Sequence, residues 1–195
     1  TDTSVPASTP NAVRTSSWTY DAQGLVATET APNGAVTRYT YNSAGNPVTS
    51  SDALGHTTTF AYAGVDGLAG RVTSMLAPTG LLTSYTYDAR GRMLSSVQSA
   101  GTSTLATFYT YTPSGQLKTI SLPSGHVVAY SYDAAQRLVG WLDNRGATGV
   151  YTLDAMGNRT LEQIKKTSTG AVVWQLARSI NALNRVASET VGNAA

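Results

Sequence analysis

The sequence contains no cysteine, which excludes disulfide frameworks, thiolate zinc sites and a cysteine nucleophile. Charge is scarce: 13 basic and 11 acidic side chains make up 12% of 195 residues and leave a formal net charge of +2. So weak a balance lacks the concentrated basic face that grips a phosphate backbone, and nucleic acid is not an expected partner. Long hydrophobic runs are missing as well. Stretches such as Val127-Val128-Ala129 and Ala171-Val172-Val173-Trp174 fall far short of the roughly 20 apolar residues of a membrane-spanning helix. No basic-then-apolar segment opens the chain at Thr1, so the sequence reads as a processed product or an excised piece of something longer.

Tyrosine, by contrast, is plentiful, and with 41% apolar residues the composition is that of a folding chain, not a disordered tail. All 11 tyrosines fall within one recurring phrase. It runs Trp18-Thr-Tyr20-Asp21-Ala-Gln-Gly24, Tyr39-Thr-Tyr41-Asn42-Ser-Ala-Gly45 and Tyr85-Thr-Tyr87-Asp88-Ala-Arg-Gly91. It continues as Tyr109-Thr-Tyr111-Thr-Pro-Ser-Gly115, Tyr130-Ser-Tyr132-Asp133-Ala-Ala-Gln136 and Tyr151-Thr-Leu153-Asp154-Ala-Met-Gly157, with degenerate copies at Phe60-Ala-Tyr62 and Ser179-Ile180-Asn181. The eight anchors at 20, 41, 62, 87, 111, 132, 153 and 180 are spaced by 21, 21, 25, 24, 21, 21 and 27 residues.

Aromatics two apart project to one face of a strand while the residue between them faces the other way. An Asp or Asn with Gly three residues on marks a tight turn: the side-chain oxygen accepts a local N–H and glycine takes a positive φ. A second short strand follows, as in Arg92 to Val97 or Gln116 to Ile120, and then a second turn such as Ala31-Pro32-Asn33-Gly34, Ala77-Pro78-Thr79-Gly80 or Leu122-Pro123-Ser124-Gly125. One repeat is therefore one hairpin. The fold predicted is all-β, a repetitive antiparallel array of about eight hairpins over residues 18–195, preceded by a tail or incomplete repeat over 1–17. Leu161 to Lys166 and Val173 to Val186 are locally compatible with helix but align with strands of the last repeats and are assigned as strands.

Chemistry is searched for against this repetition. His56 and His126 each follow a turn glycine at the same phase of a repeat and read as solvent-facing strand starts, with no converging partners for a metal. Asp21, Asp88, Asp133 and Asp154 share one turn context, whereas a catalytic acid sits in a singular environment, so they read as turn caps. No Gly-Xaa-Ser-Xaa-Gly elbow exists, and Gly64 to Gly70 has neither the spacing nor the following helix of a phosphate loop. No catalytic residue, metal site or cofactor is expected. The alternative is a tyrosine ladder that stacks on sugar rings, as an adhesin or carbohydrate-binding module would; Trp141 and Trp174, which lie outside the phrase, are the candidate ligand contacts.

The phrase Tyr-Thr-Tyr-Asp-Ala-Xaa-Gly-Arg, clearest from Tyr85 to Arg92, resembles the YD (tyrosine-aspartate) repeat of the Rhs family, shared with teneurins and the shell-forming BC components of Tc toxins. The likeness runs from residue 18 to about 186, with Arg71, Arg92, Arg137 and Asn46 in the post-turn place. It implies a β-ribbon wound into a shell that encloses or displays a C-terminal toxin or effector, and hence a secreted or surface setting. Its partners would be the rest of the same polypeptide and that cargo. An array of this length makes an arc of such a shell, and the family's core motif ending in Asp-Pro-Xaa-Gly is absent. Gln136 stands where the turn glycine is expected, and Ile180-Asn181 replaces Tyr-Asp. With no polar cap in view, exposed strand edges are expected to invite self-association, including the third alternative of a self-assembling fibre.

Overall fold

The computed structural model describes residues 14–64 and 68–193, so residues 1–13 of the expected tail, 65–67 of the loop after Gly64, and 194–195 lie outside the described residues. The described residues form sixteen β-strands and no helix. They are β1 (Ser17–Tyr20) and β2 (Val26–Thr30), β3 (Val36–Tyr41) and β4 (Pro47–Ser51), β5 (Thr57–Tyr62) and β6 (Val72–Leu76), and β7 (Leu82–Tyr87) and β8 (Met93–Ala100). Then come β9 (Ser103–Tyr111) and β10 (Leu117–Ser121), β11 (Val127–Tyr132) and β12 (Leu138–Asp143), β13 (Ala147–Leu153) and β14 (Arg159–Lys166), and β15 (Val172–Ile180) and β16 (Val186–Asn193). The expected hairpin count is met; Leu161 to Lys166 is strand, and Val173 to Val186 is strand apart from the turn over 181–185. The chain divides into two compact units, one up to Ser84 and one from Tyr85. Within each, strand order is chain order and every pairing is antiparallel.

The turn that closes each phrase explains the reversal. Gly24 donates its N–H to the Asp21 carbonyl at 3.0 Å and Asp21 donates to the Leu25 carbonyl at 2.8 Å, a tight turn followed by a bulge. The residue at the bulge must sit at positive φ, as Gly24 does at 80°. The same pair of bonds recurs in the Asn42, Asp88, Thr112, Asp133 and Asp154 turns, and also in turns at the opposite ends of the strands, such as Ala31 to Ala35 and Leu122 to His126. One turn chemistry therefore serves both rims.

Each bulge shifts the register, as between Thr19 and Tyr20 or Ser131 and Tyr132, so that Tyr20 faces Val26 and Tyr132 faces Leu138. Alternation then sorts side chains by face. In the second unit one face carries Tyr109 beside Ile120, Tyr130 beside Trp141, Tyr151 beside Glu162 and Trp174 beside Ile164. The other face carries many small hydroxyls, and there the middle residue of five phrases meets a hydroxyl nine residues on. Thr19 with Thr28, Thr40 with Thr49, Thr86 with Ser95, Thr110 with Thr119 and Ser179 with Ser188 are hydroxyl pairs 2.6–2.7 Å apart. No apolar side chain among the described residues is fully buried; the buried polar residues among them are Thr83 and Ser95. These are sheets without a core in the usual sense, held by lateral tiling.

Candidate functional site

Two sets of side chains recur with the repeat, one at the phrase rim and one on the tyrosine face. At the rim, Oδ1 of Asp21, Asp88 and Asp154 each accepts two backbone N–H groups, from the second and fourth residues on, at 2.8–3.0 Å. Asp133 accepts the Arg137 N–H at 2.8 Å. In Asp88, Asp133 and Asp154 these bonds stabilise the ionised form. The Arg92 N–H and then its guanidinium hold the Asp88 carboxyl below its ordinary value, the Arg137 N–H does the same for Asp133, and the Asn158 amide leads for Asp154. Asn42 and Asn181 cap their turns identically with an uncharged oxygen.

Within each unit, residues that follow turns tie their turn to the next one along the rim. Leu25 rests on Gly45, Asn46 on Gly70, Arg92 on Gly115 and Arg137 on Gly157. Arg92 Nε donates to Asp88 Oδ2 at 2.7 Å while its guanidinium lies 4.4 Å from the centre of the Tyr111 ring. Arg137 makes the same bond to Asp133 and reaches the Asp154 carbonyl at 3.2 Å. Gln116 continues the series with an amide bond to Gln136 at 3.0 Å. Gln136 occupies the glycine position at φ 64° and Asn184 does so at 61° in the last repeat, followed by Arg185. The degenerate end of the sequence thus keeps the turn: Asn181, Asn184 and Arg185 stand where Asp, Gly and Arg stand elsewhere.

The second tyrosine of the phrase fastens one hairpin to the preceding one. Tyr41 donates its hydroxyl to the Val26 carbonyl at 2.9 Å, Tyr62 to Pro47 at 2.7 Å, Tyr111 to Met93 at 2.7 Å and Tyr132 to Leu117 at 2.8 Å. In each case the accepting carbonyl lies two residues past the last residue paired between those hairpins, Thr28, Thr49, Ser95 and Thr119 respectively. The bulge turns the strands apart there, and the phenol replaces the missing rungs. Burial raises the Tyr62 and Tyr132 hydroxyls above their ordinary value, which keeps them protonated donors.

Trp141 and Trp174 are placed on the tyrosine face of the second unit, on β12 and β15, opposite Gly149 and Ile164. Gly149 is buried beneath Trp141: a Cβ there would lie 2.0 Å from the indole Nε1, 2.4 Å from Cε2 and 2.6 Å from Cδ1. Those three distances put that point almost directly over the ring nitrogen, so the indole lies face-down on the strand. Beside it is a cleft of about 380 Å³ lined by His126, Val128, Tyr130, Trp141, Asp143 and Tyr151. His126 is not the solvent-facing residue its position after a turn glycine implied. Its Nε2 is 3.2 Å from Asp143 Oδ2, and the two side chains are 21% and 11% exposed. His56, by contrast, is exposed, although its Nδ1 lies 2.8 Å from Asp52 Oδ2. Asp52 and Asp143 were not singled out from sequence, since neither follows a tyrosine, yet each caps its turn by accepting two backbone N–H groups. The glycine three positions on from each acid, Gly55 and Gly146, both at positive φ, marks them in hindsight.

The sequence pattern of the RHS Repeat family matches residues 20–57, 68–104 and 111–142, more than half of the chain. Among solved structures, the crystal structure of TcdB2-TccC3-Cdc42 is similar with a TM-score of 0.74 and 20% identity, covering 89% of this chain. That of TcdB2-TccC3 without the hypervariable C-terminal region gives 0.73 and 20% over 89% of this chain. This chain spans 10% of the length of either. No curated protein sequence matches.

Proposed function

Because the chain belongs to the RHS Repeat family, we propose that it is a non-enzymatic stretch of repeat wall, tiling with further repeats of its own polypeptide to enclose or display a C-terminal toxin or effector domain. The observation that supports this most directly is the way the sheets are held. Strands pair with their chain neighbours, no apolar side chain among the described residues is fully buried, and within each unit rim contacts link neighbouring turns. Such a structure gains stability by extension along the repeat axis, and extension makes a wall. The capping aspartates are committed to backbone N–H groups, which leaves them a structural role in place of acid-base chemistry. TcdB2-TccC3, which this chain resembles in fold, has a hypervariable C-terminal region. The setting this implies is secreted or cell-surface.

Electron microscopy of the purified chain at several dilutions, with sedimentation alongside, tests the wall against the polymer. Short bodies of one size at every dilution are the expected result. Long regular filaments that grow with concentration would replace the wall with edge-to-edge assembly as the function.

A further inference from the structure

The cleft beside Trp141 combines features that tiling does not require. Every repeat with a full aromatic pair has a side chain two residues before its first aromatic, as Thr37, Thr83, Thr107 and Val128 show, whereas the Tyr151 repeat has Gly149 there. Here a buried glycine leaves room for the indole to lie flat, so one face of Trp141 rests on β13 and the other is turned off the sheet. The indole therefore lies flat before any ligand arrives, which reduces the rotamer freedom that binding would cost.

Polar groups converge at its margin. Asp143 Oδ1 is engaged by the N–H groups of Arg145 and Ala147 at 3.0 and 2.7 Å, while among the described residues Oδ2 meets only the His126 ring nitrogen and keeps acceptor capacity toward the cleft. Tyr130 stands directly across from Trp141 and Val128 across from Asp143, all on one face. A flat aromatic surface next to a half-buried carboxylate and imidazole complements a ring that is apolar on its face and hydroxylated at its edge.

We propose that this cleft is a stacking subsite for one neutral pyranose unit of a glycan. Its volume of about 380 Å³ lies at the small end of the usual range for ligand clefts, roughly 300–1,000 Å³. Asp143 sets the charge preference: a uronic or sialic acid would bring a second carboxylate against it. Arg159 does not reverse this, because its guanidinium is engaged with the Tyr151 ring at 4.0 Å and with Glu162.

The test uses the full chain carrying Trp18→Phe and Trp174→Phe, so that Trp141 is the sole indole, titrated with cellohexaose, maltohexaose, chitohexaose and xylohexaose. A saturable change in Trp141 emission with at least one of them is expected, weakened about tenfold or more by Gly149→Val, which lifts the indole. Asp143→Asn, which preserves the turn acceptor as Asn42 does, is expected to weaken binding to a similar degree while circular dichroism stays unchanged. Saturation-transfer NMR on the chain with its native tryptophans gives a second readout, and its signal is expected to vanish in Trp141→Ala. No saturable response to any of the four, binding within twofold of the parent in the folded Asp143→Asn chain, or capture of an aromatic tripeptide in place of every glycan would each overturn the assignment.

Discussion

Replacing Tyr132 with phenylalanine removes one oxygen and, with it, the bond that closes the gap between β10 and β11. The hydroxyl donates to the Leu117 carbonyl at 2.8 Å, at a part-buried position two residues beyond the last pairing, Thr119 with Ala129. A typical net hydrogen bond contributes about 0.5–1.5 kcal/mol, and a buried acceptor stripped of its donor costs about 1–3 kcal/mol. Water reaches part of this rim, so Tyr132→Phe is expected to destabilise that interface by about 1–2 kcal/mol. Tyr130 is the internal control: it lies on the same strand, its hydroxyl makes no hydrogen bond among the described residues, and Tyr130→Phe is expected to stay within about 0.5 kcal/mol of the parent. In a chain of neighbour-only interfaces the loss is local. Native-state hydrogen exchange is therefore the assay, with amides of Val127 to Ala129 exchanging about tenfold faster in Tyr132→Phe and those of the first unit unchanged. If Tyr132→Phe and Tyr130→Phe behave alike, the tyrosine hydroxyl is not what fastens one hairpin to the next.

Acid is expected to loosen the turns below the ordinary carboxylate value of 3.8, because Asp52, Asp88, Asp133, Asp143 and Asp154 all titrate lower in the folded chain than that. The stability they contribute is present above that value and is lost as pH falls through the lower folded values. Converting all five to asparagine keeps the turn oxygens and is expected to flatten the acid limb in melts between pH 2 and 6; an unchanged limb would remove these carboxylates as its cause. Gln136→Gly relieves a non-glycine residue at φ 64° but forfeits the bond to Gln116 and adds freedom to the unfolded chain. Urea titration is expected to show a change within about 1 kcal/mol in either direction, and a larger loss would show that the Gln116–Gln136 contact outweighs the backbone term.

The phrase was legible because backbone geometry wrote it: an aromatic pair two apart, an acid and a residue at positive φ are each demanded by strand alternation and by the bulged turn. That gave the hairpins and their number. The hydroxyl pairs nine residues apart were less visible, since Thr and Ser are common throughout this sequence and only the register shows which two meet. Asp143 was overlooked because its turn follows Trp141-Leu142 in place of an aromatic pair, although the backbone N–H groups it accepts, two and four residues on, match those of the other acids. The last repeat looked frayed because Ile180 and Asn184 differ in letter from Tyr and Gly, yet asparagine tolerates positive φ better than most side chains and the turn survives. Gly149 carried a readable signal in the mismatch with its counterparts, but its meaning depended on Trp141, a strand away.

The tyrosine fastening has a further consequence for how such a chain can grow. Three of the four hydroxyls reach back 15 residues, while Tyr111 reaches back 18 to Met93. The extra residues belong to longer strands, β8 and β9, which run on to the pair Ala100 and Ser103 at the far rim, and the phenol still lands two residues beyond the last pairing at the near one. Sequence offset is thus free to vary while spatial offset is not. Insertions that lengthen a hairpin outward are absorbed where they occur, leaving downstream repeats in phase, so one edge can be remodelled residue by residue while the other stays a fixed seam.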